Sequence, residues 1–395
     1  MQNIIQCFKK MKLSECFTFL VGGDVDKLCF SETKDDMHPY PIYANALTNK
    51  GLYGYSSKYK IKDECITITG RGDIGNVFYR KGFFTPIVRL IVAIPRENIN
   101  AKFMSYACSK IRFFNETTGV PQLTVPQVQG HKVLVPPLAE QEKIAEILGA
   151  WDSAIEKLTA LIAAKRLQKK GLMQKLLTAR IRLPGFTGEW QKQKLGCLFS
   201  FHRSLSASRA QLGEIGIPYL HYGDIHKTGK TSFNPEKDEL PKLDYRENAE
   251  KYLLKNGDVV FVDASEDRKD ASRFCVIKNK NNVPFLAGLH TVVARPKSDE
   301  LNVDFSEFLF QSNDFRKQVS ILANGMKIFG VSKDILSNIV IRYPQNIAEQ
   351  KAIADILSKA DEEIDLLTRK LDLLQSQKKG LMQQLLTGKI RVKVA

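Results

Sequence analysis

The segment 138–183 of this chain, LAEQEKIAEILGAWDSAIEKLTALIAAKRLQKKGLMQKLLTARIRL, returns 209 residues later as IAEQKAIADILSKADEEIDLLTRKLDLLQSQKKGLMQQLLTGKIRV. Aligned without a gap, the two share 23 of 46 residues, and Gln168–Gln174 recurs unchanged as Gln377–Gln383. Unrelated helices would agree at only a few positions, so the chain is a duplication. Any fold for it must use the same long element twice.

Both copies read as amphipathic helices. The first places apolar residues at Ile144, Leu148, Trp151, Ile155, Leu158 and Ile162, then at Leu172 and Leu176. The second places them at Ile353, Leu357, Ala360, Ile364, Leu367, Leu371 and Leu374, then at Leu381 and Leu385. Alternating steps of four and three form the heptad seam of a coiled coil, favoured by the matched seams over two surface helices on separate cores. Pro136, Pro137 and Pro344 mark the helix starts, and Glu140 and Glu349 suit the first turns. Lys165 and Lys169 interrupt the first seam, while Gly171 and Gly380 are expected to fray or bend the helices.

The segments before the helices are alike too. Lys12-Leu13 leads to Phe17 and Phe19 as Lys194-Leu195 leads to Phe199 and Phe201. Gly119–Val125 parallels Gly325–Val331, and an alternating strand follows each, Val133–Val135 or Ile339–Ile341. Runs such as Cys65–Thr69 and Asp258–Val262, separated by turn signals, predict mixed α/β domains rich in irregular strand. The expected order is a globular domain over 1–137, a helix over 138–183 and a connector over 184–192. A second globular domain over 193–346 and a helix over 347–392 complete it. The second domain begins beyond the end of one helix and finishes at the start of the other. A compact domain of that size is only ~40 Å across, whereas each helix would run ~60 Å. The helices should therefore pack antiparallel, with the domains at opposite ends about a pseudo-two-fold axis.

Lysine and arginine outnumber aspartate and glutamate 59 to 43, a net charge of +16. Such an excess favours a polyanionic partner, nucleic acid ahead of a membrane surface. No stretch approaches the ~20 apolar residues of a bilayer span, and Met1–Lys10 is too short and polar for a secretory signal. Seven single cysteines without a CxxC pair fit reduced thiols and a cytoplasmic protein.

Candidate contact residues follow from charge and turn chemistry. Gly70–Gly82 contains GxGxxG, but a dinucleotide fingerprint must open a helix, and Val77-Phe78-Tyr79 continues as strand. The glycines then shape a turn, leaving Arg71, Arg80 and Lys81 either as DNA contacts, by base or by phosphate, or as ordinary solvated charge. The cluster Tyr53, Tyr55, Lys58, Tyr59 and Lys60 interleaves aromatic and basic residues; it could follow phosphates, although strand tyrosines are more often packing. The second domain offers His221, Tyr222 and Lys227, and the polar run Asp263–Arg273 with Arg268, Lys269 and Arg273. That run occupies the place of the glycine-rich turn of the first domain. Gly229-Lys230-Thr231 resembles a P-loop end, but the glycines are misspaced and Pro235 denies the helix. His221 and His226 have no suitable third metal ligand nearby. Arg71-Gly72-Asp73 is an adhesion string only in an extracellular protein. The run Lys165, Arg166, Lys169 and Lys170 reads first as a solvated face helped by the helix dipole, second as a partner or DNA contact. No methyltransferase-type NPPY or DPPY loop is present, nor a nucleophile–base constellation.

The paired AEQ…I..IL starts (Ala139-Glu140-Gln141; Ala348-Glu349-Gln350), the paired QKKGLMQ.LLT ends and the connector Arg182-Leu183-Pro184-Gly185-Phe186…Trp190 resemble the specificity subunit of type I restriction–modification enzymes. The likeness covers essentially the whole chain. It implies two target recognition domains, each binding half of a bipartite double-stranded DNA site, on an antiparallel helical spacer that docks two modification subunits. It also implies a chain that is noncatalytic and carries no cofactor. S-adenosylmethionine would serve adenine methylation in the modification subunits; ATP and Mg would serve restriction subunits joined through them. A self-contained enzyme, or a stand-alone DNA-binding or coiled-coil interaction scaffold without restriction partners, stands as the alternative. One departure is that no tryptophan precedes the first domain as Trp190 precedes the second. Either the start is short, or the first domain lacks an edge element.

Overall fold

The computed structural model describes residues 8–113, 122–244, 249–265, 273–322 and 329–394. Two helices dominate: α1 (Leu138–Leu176) and α2 (Ile347–Leu386). The chain forms two compact units, one of Met1–Ala160 with Arg369–Ala395, the other of Leu161–Thr368. Each helix therefore gives part of its length to each unit. No helix among the described residues is long and apolar enough to cross a membrane.

In the first unit, β1 (Phe17–Val21), β2 (Cys65–Ile68), β3 (Val77–Arg80) and β4 (Ile91–Pro95) form an antiparallel sheet in the order β1-β4-β2-β3. Ile66, Ile68, Ile91 and Ala93 pack in one buried cluster with Ile144 and Leu148 of α1 and Met382 and Leu385 of α2. In the second unit, β5 (Phe199–Arg203), β6 (Ser232–Phe233), β7 (Val259–Val262), β8 (Phe274–Ile277) and β9 (Thr291–Pro296) follow the order β5-β9-β7-β8-β6. Its core gathers Phe199, Phe261, Phe274 and Phe315 around the buried Phe310, with centroids 5.0–5.9 Å from that ring. Ile353 and Leu357 of α2 belong to this same cluster. Among the described residues the first unit carries two further small sheets and the second three, so the mixed, strand-rich α/β reading describes both.

Within each unit the helices run antiparallel, as their ion pairs record. In the second unit Lys165 meets Glu363 and Lys169 meets Asp361, at 2.5–2.7 Å. In the first, Lys378 bonds Asp152, the pair related to Lys169–Asp361 by the repeat. The two lysines that interrupt the seam are thus interhelical partners. Of the seam residues, Ile144, Leu148, Leu158, Ile353, Leu357 and Ile364 are buried, and Trp151, Ile155, Leu367 and Leu371 are half-buried. Both helices run unbroken through Gly171 and Gly380, contrary to the expected fraying. A glycine costs about 1 kcal/mol there, a small penalty against the packing of a 39- or 40-residue helix.

The repeated AEQ motif has a definite task. Gln141 is buried, donating Nε2 to the Pro136 and Asn98 carbonyls at 2.8 and 3.0 Å and accepting the Asn100 N–H at 2.9 Å. Gln350 does the same with Pro344, Glu300 and Asn302, at 2.8, 2.8 and 2.7 Å. One side chain thereby satisfies three backbone groups, the proline carbonyl among them in a buried bond. The preceding glutamates take arginine forks: Arg182 on Glu349 at 2.7 and 2.8 Å, Arg391 on Glu140 at 2.6 Å twice. These arginines reach back because the helices stop at Leu176 and Leu386, and Ala179 and Gly388 turn the chain at φ +56° and +71°.

The first unit does have its edge element. Lys9–Lys12 pairs antiparallel with Lys132–Val135, as Trp190–Lys194 pairs with Val340–Pro344. Phe8 is buried at the position of Trp190, its ring 5.4 Å from the Arg391 guanidinium. An aromatic ring was needed there; tryptophan was not.

Candidate nucleic-acid interface

Strands β2 and β3 are adjacent antiparallel strands, and the glycine-rich segment between them is a turn. Thr69 Oγ1 donates to the Asp73 carbonyl at 2.5 Å and accepts the Asn76 N–H at 2.9 Å. Gly72 and Gly75 sit at φ +67° and +80°, where a side chain would be strained. Arg71 is exposed on this turn and Lys81 is exposed just past β3.

Arg80 must be withdrawn from the DNA-facing set. It is buried, donating Nε to Thr67 Oγ1 at 3.0 Å and Nη2 to the Lys50 carbonyl at 2.6 Å, with its guanidinium 3.6 Å from the Tyr43 ring centroid. Burial lowers its pKa. Strand register puts Arg80 level with Ile277 of the second unit, itself fully buried. Arg80→Gln is expected to destabilise the first unit by about 1–3 kcal/mol in urea unfolding, while leaving the salt dependence of DNA binding unchanged.

The aromatic–basic cluster is partly packing. Tyr53 is exposed but its ring lies 5.5 Å from Phe30; Tyr59 stands edge-on to Tyr40 and Phe83. Lys58 and Lys60 are exposed.

In the second unit His221 is also committed to structure. It is buried and caps the helix Tyr222–Thr228, its Nδ1 accepting the Gly223 N–H at 3.1 Å. Burial, then the nearby Arg209 charge, lowers its pKa, which keeps the acceptor nitrogen free of a proton. Lys227 is exposed. Gly229 ends that helix at φ +63°, the left-handed cap that glycine favours, so the P-loop-like string marks a helix end. Tyr222 is half-buried, its ring 4.4 Å from His221 and 5.3 Å from His290. Arg268 and Lys269 lie outside the described residues; Arg273 closes their loop, its carbonyl accepting the Val262 N–H at 3.0 Å. Among the described residues no group of three His, Cys, Asp or Glu could hold a metal ion.

Sequence reasoning missed one position. Phe17 pairs with Pro95 in the first unit and Phe199 with Pro296 in the second. Counting back six residues from either proline gives Arg89 and His290. Both are exposed and both have φ +57°. Each backs onto the segment leaving the central strand: the Arg89 carbonyl lies against Gly70, and the His290 carbonyl accepts the Asp263 N–H at 3.1 Å. The two units share a frame and differ in the side chain it displays. Neither residue advertises itself, because a left-handed residue that is not glycine or asparagine leaves no mark in sequence.

The family model for the type I restriction modification DNA specificity domain matches residues 7–166 and 187–376. The chain belongs to this specificity family. Among relatives, the type I restriction enzyme MjaVIII specificity subunit of Methanocaldococcus jannaschii is 28% identical over 292 residues, 70% of this chain and 66% of that one. A putative type I specificity subunit of Mycoplasma pneumoniae is 33% identical over 141 residues, covering 36% of this chain and 39% of its own. The specificity chain thus spans between 39% and 66% of the length of these two relatives. Its fold resembles the crystal structure of the type I restriction–modification S subunit from M. genitalium, with TM-score 0.64, 15% identity and 96% of each chain covered. A chain from a study of type I assembly and conformational transition matches with TM-score 0.54 at 14% identity, covering 97% of this chain and 98% of that one.

Proposed function

We propose that this chain reads DNA for a type I restriction–modification system, each unit recognising one half of a bipartite site. The observation that carries this reading is the duplicated frame with unlike tips: a shared order of four strands, extended by a fifth in the second unit, and one left-handed display position, with arginine in one unit and histidine in the other. Two identical readers would bind a symmetric site; two diverged readers suit unlike half-sites. The net charge of +16 supports a polyanionic partner. The long helices would set the gap between half-sites and dock two modification subunits. Leu167, Leu366 and Leu373, 57–70% exposed on those helices, suit a protein partner. Adenine methylation from S-adenosylmethionine would belong to the modification subunits. ATP- and Mg-dependent restriction would belong to further subunits, with this chain noncatalytic.

Sequencing methylated adenines across the host genome, with and without the gene, tests this. A bipartite motif that vanishes on deletion is expected. An unchanged methylome would leave a scaffold without restriction partners, and methyl transfer by the purified chain alone would overturn the noncatalytic assignment.

A further inference from the structure

The basic run near the end of α1 divides by face. Lys165 and Lys169 turn to α2 and pair with Glu363 and Asp361. Arg166 and Lys170, each one residue on, line a cleft of about 390 Å³ that also carries Arg180 and Arg316, and that the paired Lys169 borders as well. Asp314 is the one carboxylate among its described lining residues. Like charges are therefore gathered where a fold without a ligand would place counterions. Arg316 also stands near a further cation outside the cleft, Arg273, whose charge adds to the lowering of its pKa by burial.

Helix packing does not require this arrangement. At the repeat-related positions the second copy has Gln375 for Arg166, Lys379 for Lys170 and Lys389 for Arg180. The fold-bearing pairs recur in both copies, as Lys169–Asp361 and Lys378–Asp152. Of these three cations only Arg166 loses its charge in the second copy; Lys170 and Arg180 have lysine counterparts.

We propose that this cleft is a docking site for backbone phosphate of the DNA, beside the reading surface of the second unit. The inference rests on the DNA-reading assignment and deepens it. The occupant follows from charge: several cationic side chains against a single carboxylate suit a polyanion, and on the DNA-reading assignment that polyanion is the duplex. Arg273, close enough to Arg316 to help lower its pKa, adds a further cation nearby. The site supplies affinity and register and reads no base.

The test uses the full chain assembled with its modification subunits, titrated with fluorescent duplexes with and without the target site over a range of salt. Arg316→Gln should reduce the slope of log affinity against log salt by about 1, and Arg166→Gln with Lys170→Gln by about 2. Both should weaken binding to the two duplexes by similar factors, about tenfold or more for the double variant, with melting temperature unchanged. Lys165→Gln, which removes a paired lysine of the same run, should leave the slope alone. An unchanged slope in variants of a wild-type complex that does bind DNA overturns the phosphate site alone. Loss of the modification subunits with DNA affinity retained overturns it in favour of an acidic protein partner. A wild-type complex that binds no duplex removes the DNA-reading assignment and this site together.

Discussion

Arg182→Met is expected to cost the second unit about 3 kcal/mol, more than any substitution of its partner Glu349 that keeps the side-chain shape. The asymmetry follows from burial. The Glu349 side chain is only 3% exposed, whereas that of Arg182 is 25% exposed. Removing the arginine leaves a carboxylate in the interior with Trp190 Nε1, at 3.3 Å, as its remaining side-chain donor. Removing the charge of Glu349 leaves a guanidinium that still reaches water and donates to the Gly188 carbonyl at 2.8 Å. Glu349→Gln should therefore cost only about 1–2 kcal/mol. Replacing both residues, Arg182→Met with Glu349→Leu, should recover much of the single-variant loss, because no uncompensated charge stays buried. Arg391→Met should reproduce the effect in the first unit, where Glu140 is equally buried. Urea unfolding with a fluorescent probe in each unit resolves these cases. If Glu349→Gln proves the more damaging change, the burial account is wrong.

The same pair shows why some of the molecule was legible and some was not. The helices could be read because a heptad seam is a local, periodic signal, and burial at Ile144, Leu148, Ile353 and Leu357 follows directly from it. The repeat added the pairing direction, since lengths alone constrain how the helix ends meet. The AEQ motif could be recognised but not explained. The partners of Gln350 are backbone groups of Glu300, Asn302 and Pro344, brought together only by the tertiary fold. Arg80 was misjudged for a related reason. An arginine at a strand end reads as surface charge, and nothing local reveals that the Lys50 carbonyl and the Tyr43 ring wait to receive it. Phe8 escaped notice as the counterpart of Trp190 because the fold needs only a ring at that point, and residue identity was the cue available. The display positions Arg89 and His290 were invisible for the opposite reason: their shared feature is a backbone angle.

Those two positions carry the other large effect. Holding a non-glycine residue at φ +57° costs on the order of 1–3 kcal/mol. Both units bear that cost at the same register while differing in the side chain displayed, which suits a site where the side chain matters to what is bound. Asparagine tolerates the left-handed region better than other non-glycine residues, so Arg89→Asn and His290→Asn keep the backbone angle, the second also giving up the His290 contacts with Tyr222 and Asp263. Each variant, expressed with modification subunits, is expected to relax methylation at one half of the bipartite motif and leave the other half as stringent as before. Loss of a bidentate arginine contact to guanine corresponds to about 1–3 kcal/mol of discrimination, on the order of 10- to 100-fold between right and wrong base. A purely structural role would instead lower total methylation without altering the motif. Methylome sequencing separates the outcomes, and the assignment is lost if both variants loosen the same half-site or neither changes base preference.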